Sequence, residues 1–290
     1  MSSMAKQARS WPLMAPAVVV LAVWAIVPLA MTLWYSTRYY NLLQPHRRLF
    51  VGLSNYRFLF EAPSSLDALL NSVILVGSVL AISLAVGLLL ALLLNHEFPG
   101  RAVARLLAIS PFFVMPPVAA LVWKDLLFNP FNGFLAWLLH LLHLPAIAWF
   151  SHAPMLALVI IVSWEWVPFA ALILLTALQS LDSEQMEAAR MDGAGPVAQL
   201  RYIVLPHLAR PAAVVLMLET IFLLSIFAEI LTTTSGGPGD ATTTLTFLVY
   251  IRSLLDFNIG AASAAGIVAI IFANLVGLFL MRSVARSLNQ

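Results

Sequence analysis

Six apolar stretches of membrane-spanning length leave this 290-residue chain little choice of fold class. They run over about 11–34, 69–94, 103–123, 154–178, 212–233 and 261–281. A hydrocarbon layer about 30 Å thick needs about 20 apolar residues per helix, because no water is present to satisfy an open backbone. Only 10% of the residues are charged, well under the roughly 25% of a soluble domain. These features predict an all-α polytopic membrane protein of about six transmembrane helices. No stretch between them is long enough for a separate soluble domain, so residues 1–290 read as one transmembrane domain.

The first stretch follows Lys6 and Arg9 but is longer than the roughly 7–15 apolar residues of a secretory signal core, and it reads as a retained span. With the N-terminus inside, nine basic residues fall on the inner side (Lys6, Arg9, Arg101, Arg105, Arg190, Arg201, Arg210, Arg282 and Arg286) and six on the outer. That agrees with an excess of positive charge inside, although Arg47 and Arg48 in the first outer loop run against it. Cysteine is absent, which excludes disulfide and thiolate chemistry, and nothing suggests a nucleic-acid partner.

One polar island, residues 177–211, separates the fourth and fifth stretches. Its punctuation predicts two short helices. Asp182 or Ser183 caps the first, with Gln185 at capping-box spacing from Asp182, and Gly193 is placed to end it in the left-handed conformation. Pro196 suits the first turn of the second helix, and Pro206 is expected to stop it. Val197, Leu200 and Val204 share a face at helical spacing, as an apolar tip for docking into another protein would.

Within the island, Glu187-Ala188-Ala189, three residues, Gly193, nine residues, then Ile203-Val204-Leu205-Pro206 resembles the signature loop of binding-protein-dependent ABC importer permeases. The resemblance implies the type I ABC importer permease fold, with 177–211 as the cytoplasmic ATPase-coupling loop. It assigns ATPase contact to Glu187, Ala188, Ala189, Asp192, Gly193, Leu205 and Pro206. It also implies a second permease subunit, a pair of ATPase subunits and an extracytoplasmic solute-binding protein. The setting would be a bacterial cytoplasmic (inner) membrane, crossed several times with both termini cytoplasmic.

The likeness extends further. Ser110-Pro111-Phe112-Phe113-Val114-Met115-Pro116 with Trp123-Lys124, and Trp164-Glu165-Trp166 with Thr176-Ala177-Leu178-Gln179-Ser180-Leu181, resemble sugar-importer permeases. Phe227-Ala228-Glu229-Ile230-Leu231-Thr232 leading to Gly236-Gly237-Pro238 is similar to the maltose and glycerol-phosphate permease type, and the whole set to permeases for sugar alcohols such as sorbitol and mannitol. A sugar or polyol is the substrate so implied.

The chain has two lysines, Lys6 and Lys124, and neither sits in a Gly-x-x-x-x-Gly-Lys-Ser/Thr loop. ATP and Mg²⁺ are therefore expected in the partner ATPase, this chain being a transport subunit without enzymatic activity or a cofactor of its own. Glu165, Glu219 and Glu229 lie within apolar stretches, where a carboxylate is costly unless it faces a cavity or the bundle interior. Glu165, between Trp164 and Trp166, combines ring faces with a hydrogen-bonding group, a surface suited to a hydroxylated solute. The candidate substrate path is thus Trp164, Glu165, Glu219, Ser225 and Glu229; pairing of each Glu with a neighbouring helix is the alternative. A proton-coupled secondary transporter using these carboxylates is the competing function, though no internal repeat supports it.

Other features have ordinary explanations. Pro111, Pro116, Pro117 and Pro168 predict kinks, and Gly260 to Gly266 forms a small-residue surface for close helix contact. An interfacial helix over 134–144, after a turn at Asn129-Pro130, accounts for His140 and His143 without a metal, and none is expected there or at His152. Ser235-Gly236-Gly237-Pro238-Gly239 reads as a flexible outer turn.

Overall fold

The computed structural model describes residues 2–288; the side chains of residues 2–13, 183, 281 and 283–288 lie outside the described set, those of Lys6, Arg9 and Arg286 among them. In chain order the helices are α1 (Ser2–Ser36), α2 (Ser54–Glu61), α3 (Pro63–Asn95), α4 (Arg101–Ile109), α5 (Pro116–Leu121), α6 (Phe134–Leu141) and α7 (Trp149–His152). Then follow α8 (Pro154–Gln179), α9 (Ser183–Met191), α10 (Pro196–Gln199), α11 (Leu205–Leu223), α12 (Ala228–Thr233), α13 (Leu245–Tyr250) and α14 (Ile259–Leu288). The helical expectation is met, with one small addition. Strands β1 (Arg38–Tyr39) and β2 (Leu49–Phe50) form an antiparallel pair, Arg38 opposite Phe50 and Tyr39 opposite Leu49.

Among the described residues, five helices are long and apolar enough to cross a membrane. A sixth crossing is made if 101–113 and 116–127, bent by 99° at the break between them, count as one. That break is sharper than the expected kink. Val114 and Met115 are both extended, with ψ of 132° and 133°. A residue before proline is pushed out of the helical region, and Pro116 has no N–H to bond back across the gap.

The fifth crossing also departs from expectation. It spans Pro196–Leu223 rather than 212–233, and Pro206 does not stop the preceding helix. A π-helical turn over Leu200–Val204 carries α10 into α11, and such a turn already reroutes the bonding that the missing proline N–H would disrupt. The chain breaks instead at 224–227, where Phe227 has φ −145° and ψ −48°, before α12 begins.

By compactness the chain forms two units, one comprising residues up to Ala62 with Leu248–Ile270, the other Pro63–Phe247 with residues from Ile271 on. In the first, Asn55 Nδ2 donates to the carbonyls of Ser36 (2.8 Å) and Arg38 (2.9 Å), fixing α2 against the end of α1. A Cβ at Gly260 would collide with the Arg38 carbonyl, so the small residue at this position permits close backbone approach. Arg47 and Arg48, the charges that disagree with the inside rule, lie over the rings of Tyr39 and Tyr40 at 5.5 and 4.5 Å.

In the second unit α8 is buried along most of its length, between α3 and α11 among other elements. Gly87 on α3 makes this packing possible: a Cβ there would come within 2.7 Å of the Ala170 Cβ on α8. The segment after α12 is a tightly bonded turn, which corrects the flexible reading. Thr234 and Thr242 hydroxyls meet at 2.6 Å, and Asn71 Nδ2 on α3 donates to the carbonyls of Asp240 (2.8 Å) and Thr243 (3.0 Å).

Candidate functional site

The polar island folds as its punctuation predicts at its first helix. Asp182 Oδ1 accepts from the Glu184 amide at 2.9 Å, satisfying one of the open donors at the start of α9. At the other end Gly193 has φ +80°. The Ala194 amide reaches the Ala189 carbonyl (2.9 Å) and the Gly193 amide reaches that of Arg190 (3.1 Å), the paired bonds of a glycine-terminated helix. Gln199 Nε2 then donates to the Ala194 carbonyl at 2.7 Å, bracing the turn between α9 and α10. That buried glutamine is a supporting residue that helical spacing alone does not single out.

The loop is apolar on two sides. Inward, Leu181, Met186 and Leu200 pack against a buried cluster that includes Leu94, Leu174, Leu178, Val204 and Leu208. Outward, Met191 is 89% exposed, Val197 76% and Tyr202 71%. The expected docking face of Val197, Leu200 and Val204 is therefore split, with Val197 alone pointing out. The helix runs back towards the bundle, so its later residues are spent on the core. Glu187, Ala188, Asp192, Gly193 and Pro206 are exposed, Leu205 is 43% exposed and Ala189 is half-buried.

At the root of the loop a cleft of about 550 Å³ is lined by the end of α8 and the start of α11, with Ser180, His207 and Arg210 as its polar wall.

The residues nominated for a solute path do not form one group. Glu219 is fully buried on α11 and accepts a 2.7 Å hydrogen bond from Ser83 on α3. Glu165 on α8 and Glu229 on α12 are neighbours, 5% and 4% exposed, yet neither Glu165 oxygen has hydrogen-bond geometry to a partner among the described residues. Trp164 packs on Trp123, ring centroids 5.9 Å apart. Trp123 in turn packs on Phe128, and Phe128 on Trp149 and Phe150. Ser225 is exposed in the break after α11.

A second aromatic group lies at the two helix breaks. Trp166 on α8 sits 5.3 Å from Phe222, just before the break that ends α11, and 5.9 Å from Phe112, just before the break at 114–115. Phe169 stacks on Phe112 at 5.6 Å. Phe222 is 55% exposed and Phe112 38%, while Trp166 and Phe169 are half-buried. Ring faces at the end of interrupted helices, where backbone groups are also freed, offer stacking and hydrogen bonding together. The i, i+3 spacing of Trp166 and Phe169 was a signal for half of this group; its union with Phe112 and Phe222 depends on tertiary packing. Among the described residues no cluster of three or more His, Asp or Glu side chains is arranged to hold a metal ion.

Comparison with known proteins gives a consistent result. Residues 60–290 match the family model described as binding-protein-dependent transport system inner membrane component. A probable ABC transporter permease protein, y4oQ, of Sinorhizobium fredii is 36% identical over 261 residues, covering 89% of this chain and 84% of the relative. The trehalose/maltose transport system permease protein MalF of Thermococcus litoralis is 32% identical, covering 85% and 84%. A chain in the crystal structure of a bacterial ABC transporter involved in import of the acidic polysaccharide alginate superposes with a TM-score of 0.81 over 98% of both chains, at 22% identity, a likeness of fold.

Proposed function

The chain belongs to the inner-membrane components of binding-protein-dependent transport systems, and we propose that within this family it carries a sugar or sugar alcohol, a sorbitol- or mannitol-like polyol being favoured. It is a permease subunit of an ABC importer, a multi-pass membrane component that is not itself the enzyme. The proton-coupled alternative falls with that membership. One observation carries the solute reading: the Phe112–Trp166–Phe169–Phe222 surface at the junction of two helix breaks. The C–H faces of a hydroxylated ring or chain stack on such rings, while hydroxyls bond to nearby polar groups such as Ser225. Trp164 lies apart in the aromatic group with Trp123, Glu219 ties α11 to α3 through Ser83, and Glu165 and Glu229 lie buried beside each other.

Residues 1–290 serve as one permease domain, paired with a second permease, an ATPase pair and a solute-binding protein. Residues 177–211 are its coupling loop on the cytoplasmic side, which puts both termini in the cytoplasm. The support is the two-sided character of the loop. Met191, Val197 and Tyr202 face out for a groove in the ATPase, with Glu187 and Asp192 beside them for charge contact. Met186 and Leu200 anchor the loop in the core. Movement of the ATPase pair can then reach the spans as a rigid-body displacement.

The test is equilibrium binding of sorbitol, mannitol and maltose to the solute-binding protein that co-purifies with the assembled complex, followed by uptake of the retained ligand by the complex. Retention of a polyol supports the finer reading, retention of maltose alone restricts it to sugars, and retention of an amino acid or an inorganic anion instead overturns it.

A further inference from the structure

The coupling loop leaves the bundle at the end of α8 and returns at the start of α11, and these two roots are tied together by a side chain with no assigned role. His207 Nε2 lies 2.9 Å from the Ala177 carbonyl oxygen and 3.3 Å from Ser180 Oγ. A carbonyl only accepts, so Nε2 carries the hydrogen. The same carbonyl accepts from Ser180 Oγ (2.8 Å) and from the Ser180 amide (3.1 Å). Ala177 sits in the last turn of α8, where carbonyls have lost their i+4 amide partners and the helix end is electronegative. Three donors thus converge on one terminal carbonyl, and one of them comes from the other root.

We propose that His207 is a positioning residue for energy coupling: its hydrogen bond across the loop root makes α8 and α11 respond together to the ATPase. The inference rests on the coupling-loop reading. A loop hinged at two independent roots would absorb displacement by splaying them. A loop closed by a bond at its base passes the displacement to both spans. The cleft lined by Ser180, His207 and Arg210 lies beside the bond, so the root is open on one side and the tie bears on its closure. His207 is half-buried, so its loss exposes little core.

The experiment uses the assembled complex of both permeases, the ATPase pair and the binding protein loaded with whichever of sorbitol, mannitol and maltose it retains. The readout is the stimulation of ATP hydrolysis by loaded binding protein, with co-purification of the subunits measured alongside. H207L should lower stimulation about fivefold, the factor one net hydrogen bond is worth, at unchanged basal hydrolysis. H207Q, which keeps a donor at the same reach, should retain most of it.

Normal stimulation in H207L overturns the proposal, as does an H207Q defect equal to that of H207L, which would reduce the role to ring packing. Gly193→Val separates the two readings. If it uncouples while H207L does not, the tie alone fails; if both remain coupled, the docking reading fails with it. Should H207L not assemble, the double variant Ser180→Cys with His207→Cys decides. The chain has no other cysteine, so a short bifunctional thiol reagent can bridge the two positions. Restored stimulation after bridging supports the tie, and persistent uncoupling of the bridged complex overturns it.

Discussion

Ser83 on α3 donates a 2.7 Å hydrogen bond to Glu219 Oε1 on α11, and both side chains are fully buried. The pair joins two spans inside the bundle, and α8 shares in it weakly, the Trp166 carbonyl lying 3.5 Å from the same hydroxyl. Ser83→Ala leaves the buried carboxyl group without this partner and should cost about 1–3 kcal/mol of stability. Glu219→Gln keeps an acceptor and should be milder. Thermal unfolding of the purified complex measures both, and uptake by Glu219→Gln should remain near wild type. A Glu219→Gln variant that unfolds normally but cannot transport would return this residue to the solute path.

Gly193 holds φ +80° at the end of α9, a conformation that β-branched side chains resist. Nothing lies within 4 Å of a Cβ built there, so strain and not collision is the cost. Gly193→Val should therefore leave membrane insertion intact, distort the turn to α10 and weaken ATPase association. Gly193→Asn, which tolerates the left-handed region better, should lie between the two. Affinity co-purification of the ATPase ranks the three proteins.

Glu187 is exposed on α9. An ion pair at such a site is worth about 0–1 kcal/mol, so Glu187→Ala should not change thermal stability. Its expected effect is a fall in solute uptake per ATP hydrolysed. Normal substrate-stimulated hydrolysis together with normal uptake would remove Glu187 from the coupling contact.

Phe222 tests the aromatic surface. Phe222 is 55% exposed, so truncation to Ala removes ring area without emptying a core site. Losing one stacking partner is worth about 0.5–1.5 kcal/mol, a few-fold to tenfold in apparent affinity. Phe222→Ala should raise the solute concentration needed for half-maximal uptake by that factor and leave basal hydrolysis alone. Phe222→Tyr should preserve uptake.

How far the fold was legible follows from where the information lies. The spans announce themselves by apolar length, and the caps of α9 by Asp182 and Gly193, because both are local. The ends of the fifth span were hidden because Pro206 is an ordinary stop signal unless the turn before it is π-helical, a tertiary choice. Trp164 and Trp166 looked like two sides of one site around Glu165. Residues two apart on a helix point about 200° apart, so each joins a different aromatic group. The turn after α12 looked flexible from its glycines, but its order comes from Asn71, 169 residues away in sequence from Asp240. Gly87 gave no sign of its role, since the role exists only against Ala170 on α8.

The crossing that starts at Pro196 runs without interruption to Leu223, 28 residues. At about 1.5 Å per residue it is a rod about 40 Å long. Its near end carries Val197 at the exposed tip of the loop, and its far end carries Phe222 beside Trp166. On the coupling-loop reading, a displacement where the loop is gripped is thus carried to the ring surface by one continuous helix, with no relay of intermediate side chains.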